Sequence, residues 1–268
     1  MKKKFKLGVI GAGFMSSAIV NGAIGAGYLK NSEVMVSDPF AAARERMSET
    51  GIHTTENNTE VFDSAEFVLF AVKPQNFSDA VKSVDKGGDY KIISIMAGVR
   101  TEKIRNVFPN SAVARCMPNT PCSVGFGAVG IDATGLKNAA DEEFVKGLFS
   151  SFAEVVSVRE EALNVVTGIS GSAPAYFYLF LKGIIDAGVK RGLTEQEAKM
   201  LAVNTMIGSG VMVKNNKDKS LEELIAAVCS KGGTTIEAVN VYNEKGLSEI
   251  TDDAVGACVR RAEELEKL

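Results

Sequence analysis

Residues 5–16 read FKLGVIGAGFMS, and this short stretch decides the fold of the amino-terminal half of the chain. Its apolar opening predicts a buried strand, Gly11 and Gly13 predict a tight turn, and the apolar run at 18–26 predicts a helix. A strand, a glycine turn and a helix in this order bind a dinucleotide pyrophosphate, because the phosphates approach the turn's backbone and the helix's free N–H groups. Ser16 stands at the third glycine of the usual pattern and is small enough for close packing. We predict a nicotinamide dinucleotide site here, with an ordinary strand–turn–helix as the alternative.

Strand and helix patterns alternate through this half of the chain. Further apolar runs predict strands at 34–36, 67–72, 92–96 and 112–114, and helical patterns lie between them at 41–50 and 75–84. The run at 67–72, FVLFAV, is apolar over six residues, as expected for a strand buried on both faces. The alternation predicts an α/β fold, a Rossmann-like doubly wound parallel sheet whose ligands lie at the carboxyl ends of the strands.

Length, composition and charge limit the class of protein. The 268 residues exceed one typical domain, so two domains are expected. A hydrophobic share of 46% with 24% charged residues is typical of a soluble globular protein, and a formal net charge of −3 argues against nucleic acid as a partner. No apolar run approaches the roughly 18 residues of a membrane-spanning helix, so no membrane contact is predicted.

Cysteine usage and the basic opening bear on compartment and metal binding. The four cysteines, at 116, 122, 229 and 258, have no C-x-x-C spacing, and His53 is the only histidine. This pattern predicts no metal site and a reduced, cytoplasmic protein. The lysines at 2–4 are followed by only about six apolar residues before the glycine turn, too few for a secretory signal.

Asp38 follows the second predicted strand, 27 residues beyond Gly11. A carboxylate at this position bonds both hydroxyls of the adenosine ribose and favours NAD over NADP. Two alternatives stay open at this point. Ser-Asp-Pro at 37–39 is also a common turn, and Ser37 with Arg44 would instead serve a 2′-phosphate.

The remaining strand ends carry further candidate ligand residues. Lys73 and Pro74 follow the third predicted strand and place one cation in a rigid turn. Small residues at 97–99 follow the fourth, where a nicotinamide ring could lie against the backbone. After the fifth comes the segment 115–121, RCMPNTP, in which two prolines bracket a polar Asn-Thr pair. Together these turns predict a ligand-binding rim at one edge of the sheet.

The secondary-structure pattern of the sequence changes near residue 163. Strand patterns stop, and long helical patterns begin, so we predict a Rossmann domain at 1–162 and a helical domain at 163–268. The helix that begins near Pro174 is apolar on almost every side over residues 175–181. A helix without a polar face must be buried all round, which predicts a subunit interface; a central helix within a monomer is the alternative.

Capping boxes mark three further helix starts. They are Thr194 with Glu197, Ser220 with Glu223, and Thr234 with Glu237. The loop before the last of them, 230–233, holds a glycine pair. Small residues, hydroxyls and a helix amino terminus make a suitable seat for a carboxylate, and a simple interhelix turn is the alternative reading.

Four of these segments together resemble pyrroline-5-carboxylate reductases, enzymes of proline biosynthesis. The segments are VKPQ at 72–75, RCMPNTP at 115–121, SGSAPAY at 170–176 and GGTT at 232–235. The resemblance runs in order from about residue 8 to about residue 246. It implies a Rossmann domain and a helical domain that dimerises, with assembly to a decamer as an open possibility, and reduction of L-1-pyrroline-5-carboxylate to L-proline by NADPH or NADH.

The resemblance also implies roles for individual residues. Cofactor binding falls to Gly11, Ala12, Gly13, Phe14, Met15, Ser37, Asp38, Asn58, Ala71, Val72, Lys73, Pro74, Ala97, Gly98 and Asn119. Substrate binding falls to Glu160, Ser230, Gly232, Gly233, Thr234 and Thr235. In this assignment the substrate carboxylate lies on the 230–235 loop, and the hydroxyl of Thr235, the catalytic group, meets the ring nitrogen.

Two residues depart from the family pattern. Lys231 stands where the family usually has proline, which loosens the loop and adds a cation, and Ala173 stands where glycine is common. Asp38 leaves the choice between NADPH and NADH open. Two other functions are weighed against this one: a reductase of the same architecture acting on a hydroxy acid or another imine, and a nucleotide sensor without catalysis. Lys182 is the lysine that a hydroxy-acid enzyme would need, but it lies in a strongly apolar segment.

Overall fold

The computed structural model describes residues 3–267. Its sheet has eight strands in the order β3-β2-β1-β4-β5-β6-β7-β8. All neighbouring pairs are parallel except β6 with β7, and β1 lies between β2 and β4, where the strand order reverses. The Rossmann-like doubly wound sheet predicted from the alternation is confirmed.

The strands and helices have the following bounds. The strands are β1 Phe5–Ile10, β2 Val34–Ser37, β3 His53–Thr55, β4 Ala65–Phe70, β5 Lys91–Ser94, β6 Ala112–Met117, β7 Gly127–Asp132 and β8 Ala153–Ser157. The helices are α1 Phe14–Gly25, α2 Ala41–Ser48, α3 Asn58–Ser64, α4 Phe77–Ala80, α5 Thr101–Val107, α6 Ala139–Ser150, α7 Leu163–Val166, α8 Ala173–Val189, α9 Glu195–Asn215, α10 Leu221–Val228, α11 Thr234–Glu244 and α12 Leu247–Glu266. A π-helical turn, Thr167–Gly171, joins α7 to α8.

Both faces of the sheet are buried, which explains why its central strands are apolar throughout. Alternate residues of a strand point to opposite faces. Thus Val9 and Leu69 belong to the core under α1, α2 and α6, whereas Ile10 and Phe70 belong to the core under α3, α4 and α5. Each of these four side chains is at most 1% exposed, so β1 and β4 are held from both sides.

The sequence patterns missed three strands and misjudged one helix. The short strand β3 is mostly polar, β7 contains two glycines, and β8 has an exposed face, so none of them shows the apolar run of a buried strand. The helix predicted at 75–84 is wrong in length. The structure has a 3-10 turn, Pro74–Asn76, and the four residues of α4, because the chain turns again before the glycine pair at 87–88.

The chain forms two compact units, each described here by itself. One comprises Met1–Pro174 and Cys258–Leu268, and the other comprises Ala175–Ala257 and is helical. This division falls later than the predicted boundary between 162 and 163, and it assigns the last residues to the first unit; the two-domain boundary itself stays a prediction. No helix among residues 3–267 combines the length and the apolar character needed to cross a membrane.

Two of the three predicted capping boxes are confirmed. The hydroxyl of Thr194 accepts from the N–H of Glu197, and that of Ser220 accepts from the N–H of Glu223. In return, each glutamate carboxylate accepts from the backbone N–H of its cap residue. The third is wrong. Gly233 is the cap of α11 and contributes no side-chain bond, so Thr234 lies inside the helix rather than before it.

Gly8 offers a test of how tightly helix α3 packs on β1. A Cβ at this position would lie 2.7 Å from the Cβ of Ala65 and closer still to Val61. We expect Gly8→Ala to lower the free energy of unfolding by about 1–3 kcal/mol through overpacking, measured by urea denaturation. Gly25→Ala is the matched control, since Gly25 has open space around it, and it should leave stability equal or slightly higher. Equal stability of Gly8→Ala and wild type would contradict this packing.

Candidate functional site

The glycine turn after β1 is confined by backbone on two sides. The N–H of Gly11 donates to the carbonyl of Ser37 at 2.7 Å, and a Cβ on Gly11 would lie 2.9 Å from the carbonyl oxygen of Ala71. Gly11 has a φ of +102°, which favours glycine. At Gly13, by contrast, a Cβ would have no neighbour within 4 Å, so this side of the turn is open to a ligand. The turn therefore fits a pyrophosphate at the amino terminus of α1, where no side chain caps the helix.

Asp38 is fixed beside this turn by backbone donors. Its Oδ2 accepts from the N–H of Ala12 at 2.8 Å, and its Oδ1 accepts from the N–H of Phe40 at 2.9 Å. The side chain thus joins the end of β2 to the glycine turn. Each carboxylate oxygen accepts one of these hydrogen bonds, and each has a further lone pair that can accept from a ribose hydroxyl.

Arg44, the alternative ligand for a 2′-phosphate, is engaged elsewhere. Its Nη1 donates to the carbonyls of Asp38 and Pro39 at 2.7 and 3.0 Å. Its Nη2 lies 3.6 Å from the carboxylate of Glu56. The guanidinium therefore stabilises the backbone around Asp38 instead of being free to bind a phosphate.

Ser37 and Asn58 form a second link at the ends of the strands. The Ser37 hydroxyl donates to Oδ1 of Asn58 at 2.7 Å, and Nδ2 of Asn58 donates to the carbonyl of Ala80 at 2.8 Å. Ser37 is fully buried, so its hydroxyl stabilises the position of Asn58 from the interior of the protein. The structure brings the predicted cofactor residues of the glycine turn, of β2 and of the turn at 71–74 to the same edge of the sheet.

The loop after β5 is held by the carboxyl terminus of the chain. Gly98 is buried and has a φ of +69°. A Cβ at this position would lie 2.8 Å from the Cβ of Leu265. The reason for glycine here is therefore contact with the last turn of α12, which the sequence patterns did not reveal.

A buried polar cluster lies beside that loop. Nη1 of Arg115 is 3.3 Å from Oε1 of Glu160 and 2.9 Å from Oε1 of Glu266. The same Oε1 of Glu160 accepts from the N–H and the hydroxyl of Thr101 at 2.6 and 2.8 Å. Burial alone raises the pKa of the Glu160 carboxyl, but the bonds from Thr101 and the charges of Arg115 and Arg100 outweigh it and lower the pKa below its ordinary value.

The substrate contact predicted for Glu160 stays a prediction, and several of its neighbours had no signal in the sequence. Glu160 was assigned to substrate, and the structure gives its Oε1 three protein donors. Thr101, Leu265 and Glu266 were missed, since nothing in their local patterns links them to the loop. Arg115 carried a usable signal: it is a charged residue inside an apolar strand, β6, and such a residue needs a buried partner.

Asn119 holds the loop after β6 against the π-helical turn. Its Nδ2 donates to the hydroxyl of Ser170 at 3.2 Å, and its Oδ1 accepts from the N–H of Ala128 at 3.0 Å. The side chain is 8% exposed. π-helical turns are frequent at functional sites, and this one ends in Ser170 and Gly171, the first two residues of the SGSAPAY segment quoted above. The predicted contact of Asn119 with cofactor stays a prediction.

The predicted substrate loop belongs to the second compact unit. Gly232 has a φ of +72°, and the N–H of Gly233 donates to the carbonyl of Ser230 at 2.9 Å. The loop thus closes on itself directly before α11, and Lys231 and Thr235 are both exposed. Residues 3–267 contain no group of three or more potential metal ligands.

Comparisons with known proteins agree over the full length. A family model described as pyrroline-5-carboxylate reductase dimerisation matches residues 160–265, and one described as NADP oxidoreductase coenzyme F420-dependent matches residues 6–98. The chain is 35% identical to a pyrroline-5-carboxylate reductase of Synechocystis over 264 residues, with 98% of each chain covered. It is 33% identical to the Escherichia coli enzyme of that name over 273 residues, also with 98% of each covered.

Solved structures with the same fold carry the same family name. A pyrroline-5-carboxylate reductase from Coxiella burnetii superposes with a TM-score of 0.90 at 30% identity and covers 99% of this chain and 100% of its own. A pyrroline carboxylate reductase from Plasmodium falciparum with NADP bound gives 0.88 at 28% identity, with 99% and 100% covered.

The lowered pKa of Glu160 makes a prediction about acid stability. A carboxyl whose pKa is lowered by folding stabilises the fold fully above its unfolded-state pKa, and this contribution is lost as pH falls through the folded-state pKa. We expect the difference in unfolding free energy between wild type and Glu160→Gln to shrink from about pH 5 downward, measured by urea denaturation across pH. The neighbour Glu161→Gln is the control, because its carboxylate is exposed. A difference that stays constant down to about pH 2 would contradict the argument.

Proposed function

This chain belongs to the pyrroline-5-carboxylate reductase family, and from that membership we propose that it reduces L-1-pyrroline-5-carboxylate to L-proline with NADH or NADPH. This is the last step of proline biosynthesis. The observation that carries the proposal is the glycine turn, which is confined at Gly11 by Ser37 and Ala71 and open at Gly13. Relatives of this name, which match over 98% of the chain, support it. The NAD(P)H-dependent oxidoreductase class follows from the same family.

The alternatives have less support. A hydroxy-acid reductase needs a lysine as general acid, and Lys182 is instead exposed and paired with Asp186 one turn further along α8. A sensor without catalysis has no need of the loop at 230–235, which keeps both glycines and both threonines. Each alternative predicts a purified protein that binds a nicotinamide cofactor and does not reduce pyrroline-5-carboxylate.

The proposed chemistry asks little of the protein in acid or base catalysis. A cyclic imine protonated on nitrogen is already an electrophile, and bound NAD(P)H supplies the hydride. The turn at 11–15 binds the pyrophosphate, and Asp38 accepts from the ribose hydroxyls. The exposed loop at 230–235 holds the substrate carboxylate on backbone N–H groups, where Lys231 adds a positive charge. The Thr235 hydroxyl then orients the ring nitrogen by one hydrogen bond, so most of the rate gain comes from proximity.

The hydroxyl of Thr235 gives the first test. We expect Thr235→Ala to lower kcat by about a hundredfold, because the ring nitrogen loses the hydrogen bond that orients it and a small misplacement costs rate on that scale. Thr235→Ser keeps the hydroxyl and should remain within a few-fold of wild type. Initial rates of NADH and NADPH oxidation with DL-pyrroline-5-carboxylate measure both variants. Equal losses in the two would contradict a role for the hydroxyl.

The geometry around Asp38 favours NADH over NADPH. A 2′-phosphate at the ribose would face the fixed carboxylate, and Arg44, the nearest candidate counter-charge, is already engaged by two carbonyls and Glu56. Repulsion between two anions at contact distance costs on the order of 1 kcal/mol or more near a protein surface. The NADP-bound structure is that of the Plasmodium protein, which is 28% identical to this chain.

Asp38→Asn tests this preference. We expect the wild type to bind NADH at least about tenfold more tightly than NADPH, a difference of about 1.4 kcal/mol, and Asp38→Asn to remove most of that gap. Equilibrium titration by cofactor fluorescence gives both dissociation constants, and kcat/KM for each cofactor gives a second measure. Asp63→Asn is the control, since Asp63 is exposed and lies at the opposite end of β4. Tighter binding of NADPH by the wild type would overturn the preference.

We propose that the helical region forms a homodimer, with a decamer as the further possibility. The match of residues 160–265 to a dimerisation model supports association. So does the surface of α8, where Phe177, Tyr178 and Leu179 are 58%, 64% and 74% exposed in the single chain. Patches of this kind usually mark interfaces. We place the protein in the cytoplasm, where its free cysteines would stay reduced.

A further inference from the structure

The cluster around Arg115 joins three distant parts of the chain within the first compact unit. Arg115 comes from β6, Glu160 follows β8, and Glu266 is the last residue of α12. The guanidinium is 0% exposed, and its Nε and Nη2 have no hydrogen-bond partner within the described residues. A buried arginine is stable only with good compensation, so the two carboxylates are what keep it in place.

The same cluster reaches the loop after β5 through Thr101. Arg100 is the cap of α5 and contributes no side-chain bond to the helix. Glu160 supplies that bond instead, since its Oε1 accepts from the N–H and the hydroxyl of Thr101. A residue 59 positions away thus caps α5 and determines where the loop at 97–100 ends.

The carboxyl terminus holds the loop at a second point. Leu265 packs against the backbone of Gly98, and Glu266 pairs with Arg115 of β6, whose guanidinium also pairs with Glu160, the acceptor of the bonds from Thr101. Arg100 adds a weaker contact, with its Nη1 3.8 Å from Oε2 of Glu266. The loop is thus contacted at Gly98 and bonded at Thr101, and fixed points of this kind hold a site in its productive geometry.

We propose that Glu160 is a positioning residue, which acts with Arg115 and Glu266 to fix the loop at 97–100 rather than by touching the substrate. This loop is the one assigned to the nicotinamide end of the cofactor, so the proposal rests on the proposed function. It makes the last turn of α12 part of the machinery that aligns the cofactor. It also accounts for the position of Glu160 beside the cofactor loop. There one carboxylate oxygen of Glu160 accepts three hydrogen bonds, one of them from the buried guanidinium of Arg115.

Two variants and two matched controls test the proposal. The variants Glu160→Gln and Glu266→Gln each remove one negative charge from Arg115. The controls Glu263→Gln and Glu264→Gln change exposed glutamates of the same turn of α12, and Glu264 pairs with Arg261 rather than with this cluster. For each protein we would measure the melting temperature, the dissociation constant for NADH by titration, kcat, and KM for pyrroline-5-carboxylate.

A positioning role predicts a particular division of the effects. Both variants should weaken cofactor binding several-fold and lower kcat by about tenfold or more, because small misalignments are costly in hydride transfer. The KM for pyrroline-5-carboxylate should stay within about twofold of wild type. The two controls should match wild type. A folded Glu160→Gln protein with an unchanged kcat and NADH dissociation constant and a raised KM would overturn the proposal in favour of direct substrate contact.

A double variant with Thr101→Val provides a second measurement that loss of stability alone does not mimic. If Glu160 acts through Thr101, then Glu160→Ala, which removes the acceptor, combined with Thr101→Val should be no slower than Glu160→Ala by itself. Fully multiplicative losses in kcat would show that the two side chains act independently and would also overturn the proposal.

Failure of the proposed function would look different. In that case the wild type would not turn over pyrroline-5-carboxylate with either cofactor, whatever the variants do. The titration with NADH still tests the positioning role then, since it needs no substrate. Unchanged NADH binding in both variants, at temperatures where they are folded, would count against it.

Discussion

The rest of the site depends on one close backbone contact, the approach of Gly11 to the carbonyl of Ala71. β1 is paired on both sides, to β2 and to β4, and the turn that follows must pass between the ends of these two strands. The Gly11 N–H bonded to Ser37 and the Ala71 N–H bonded to Ile10 leave no room for a side chain. Because the turn is held in this way, α1 begins with its amino terminus at the open side of Gly13, where an anion is stabilised by free N–H groups.

Polar side chains around this turn are held mainly by backbone groups, and this makes the site rigid before any ligand arrives. Asp38 accepts from two backbone N–H groups, Arg44 donates to two carbonyls, and Asn58 donates to a third. Most of these backbone groups lie in the turns directly after β1 and β2, and the carbonyl bonded by Asn58 belongs to the last residue of α4, so they are anchored by strands packed on both faces and by a helix. In the proposed cofactor site, a carboxylate held in this way discriminates against a 2′-phosphate more sharply than a mobile one, because it cannot turn away from the phosphate.

Some elements were readable from local patterns and others were not. The apolar runs of β1, β4, β5 and β6 predicted a sheet buried on both faces. Asp38 and Lys73 were predicted as ligand residues because ligands gather at the carboxyl ends of strands, and their roles stay predictions. The strands β3, β7 and β8 escaped notice since edge and glycine-rich strands need no apolar run. The cap of α11 was assigned to Thr234 because a Thr-x-x-Glu pattern is common at caps, but the extended backbone of Gly233 occupies that position.

The order of strand, glycine turn and helix, the change to helices near residue 163 and the motifs of the pyrroline-5-carboxylate reductase family could all be read along the chain. Each depends on residues within a few positions of one another, where spacing is nearly as informative as structure. The partners of Arg115, the pairing of Glu160 with Thr101 and the contact of Leu265 with Gly98 could be found only in three dimensions. These contacts join residues from different strands and from the carboxyl terminus. A buried charge reveals that it needs a partner, but only the packing of the chain determines which residue meets that need.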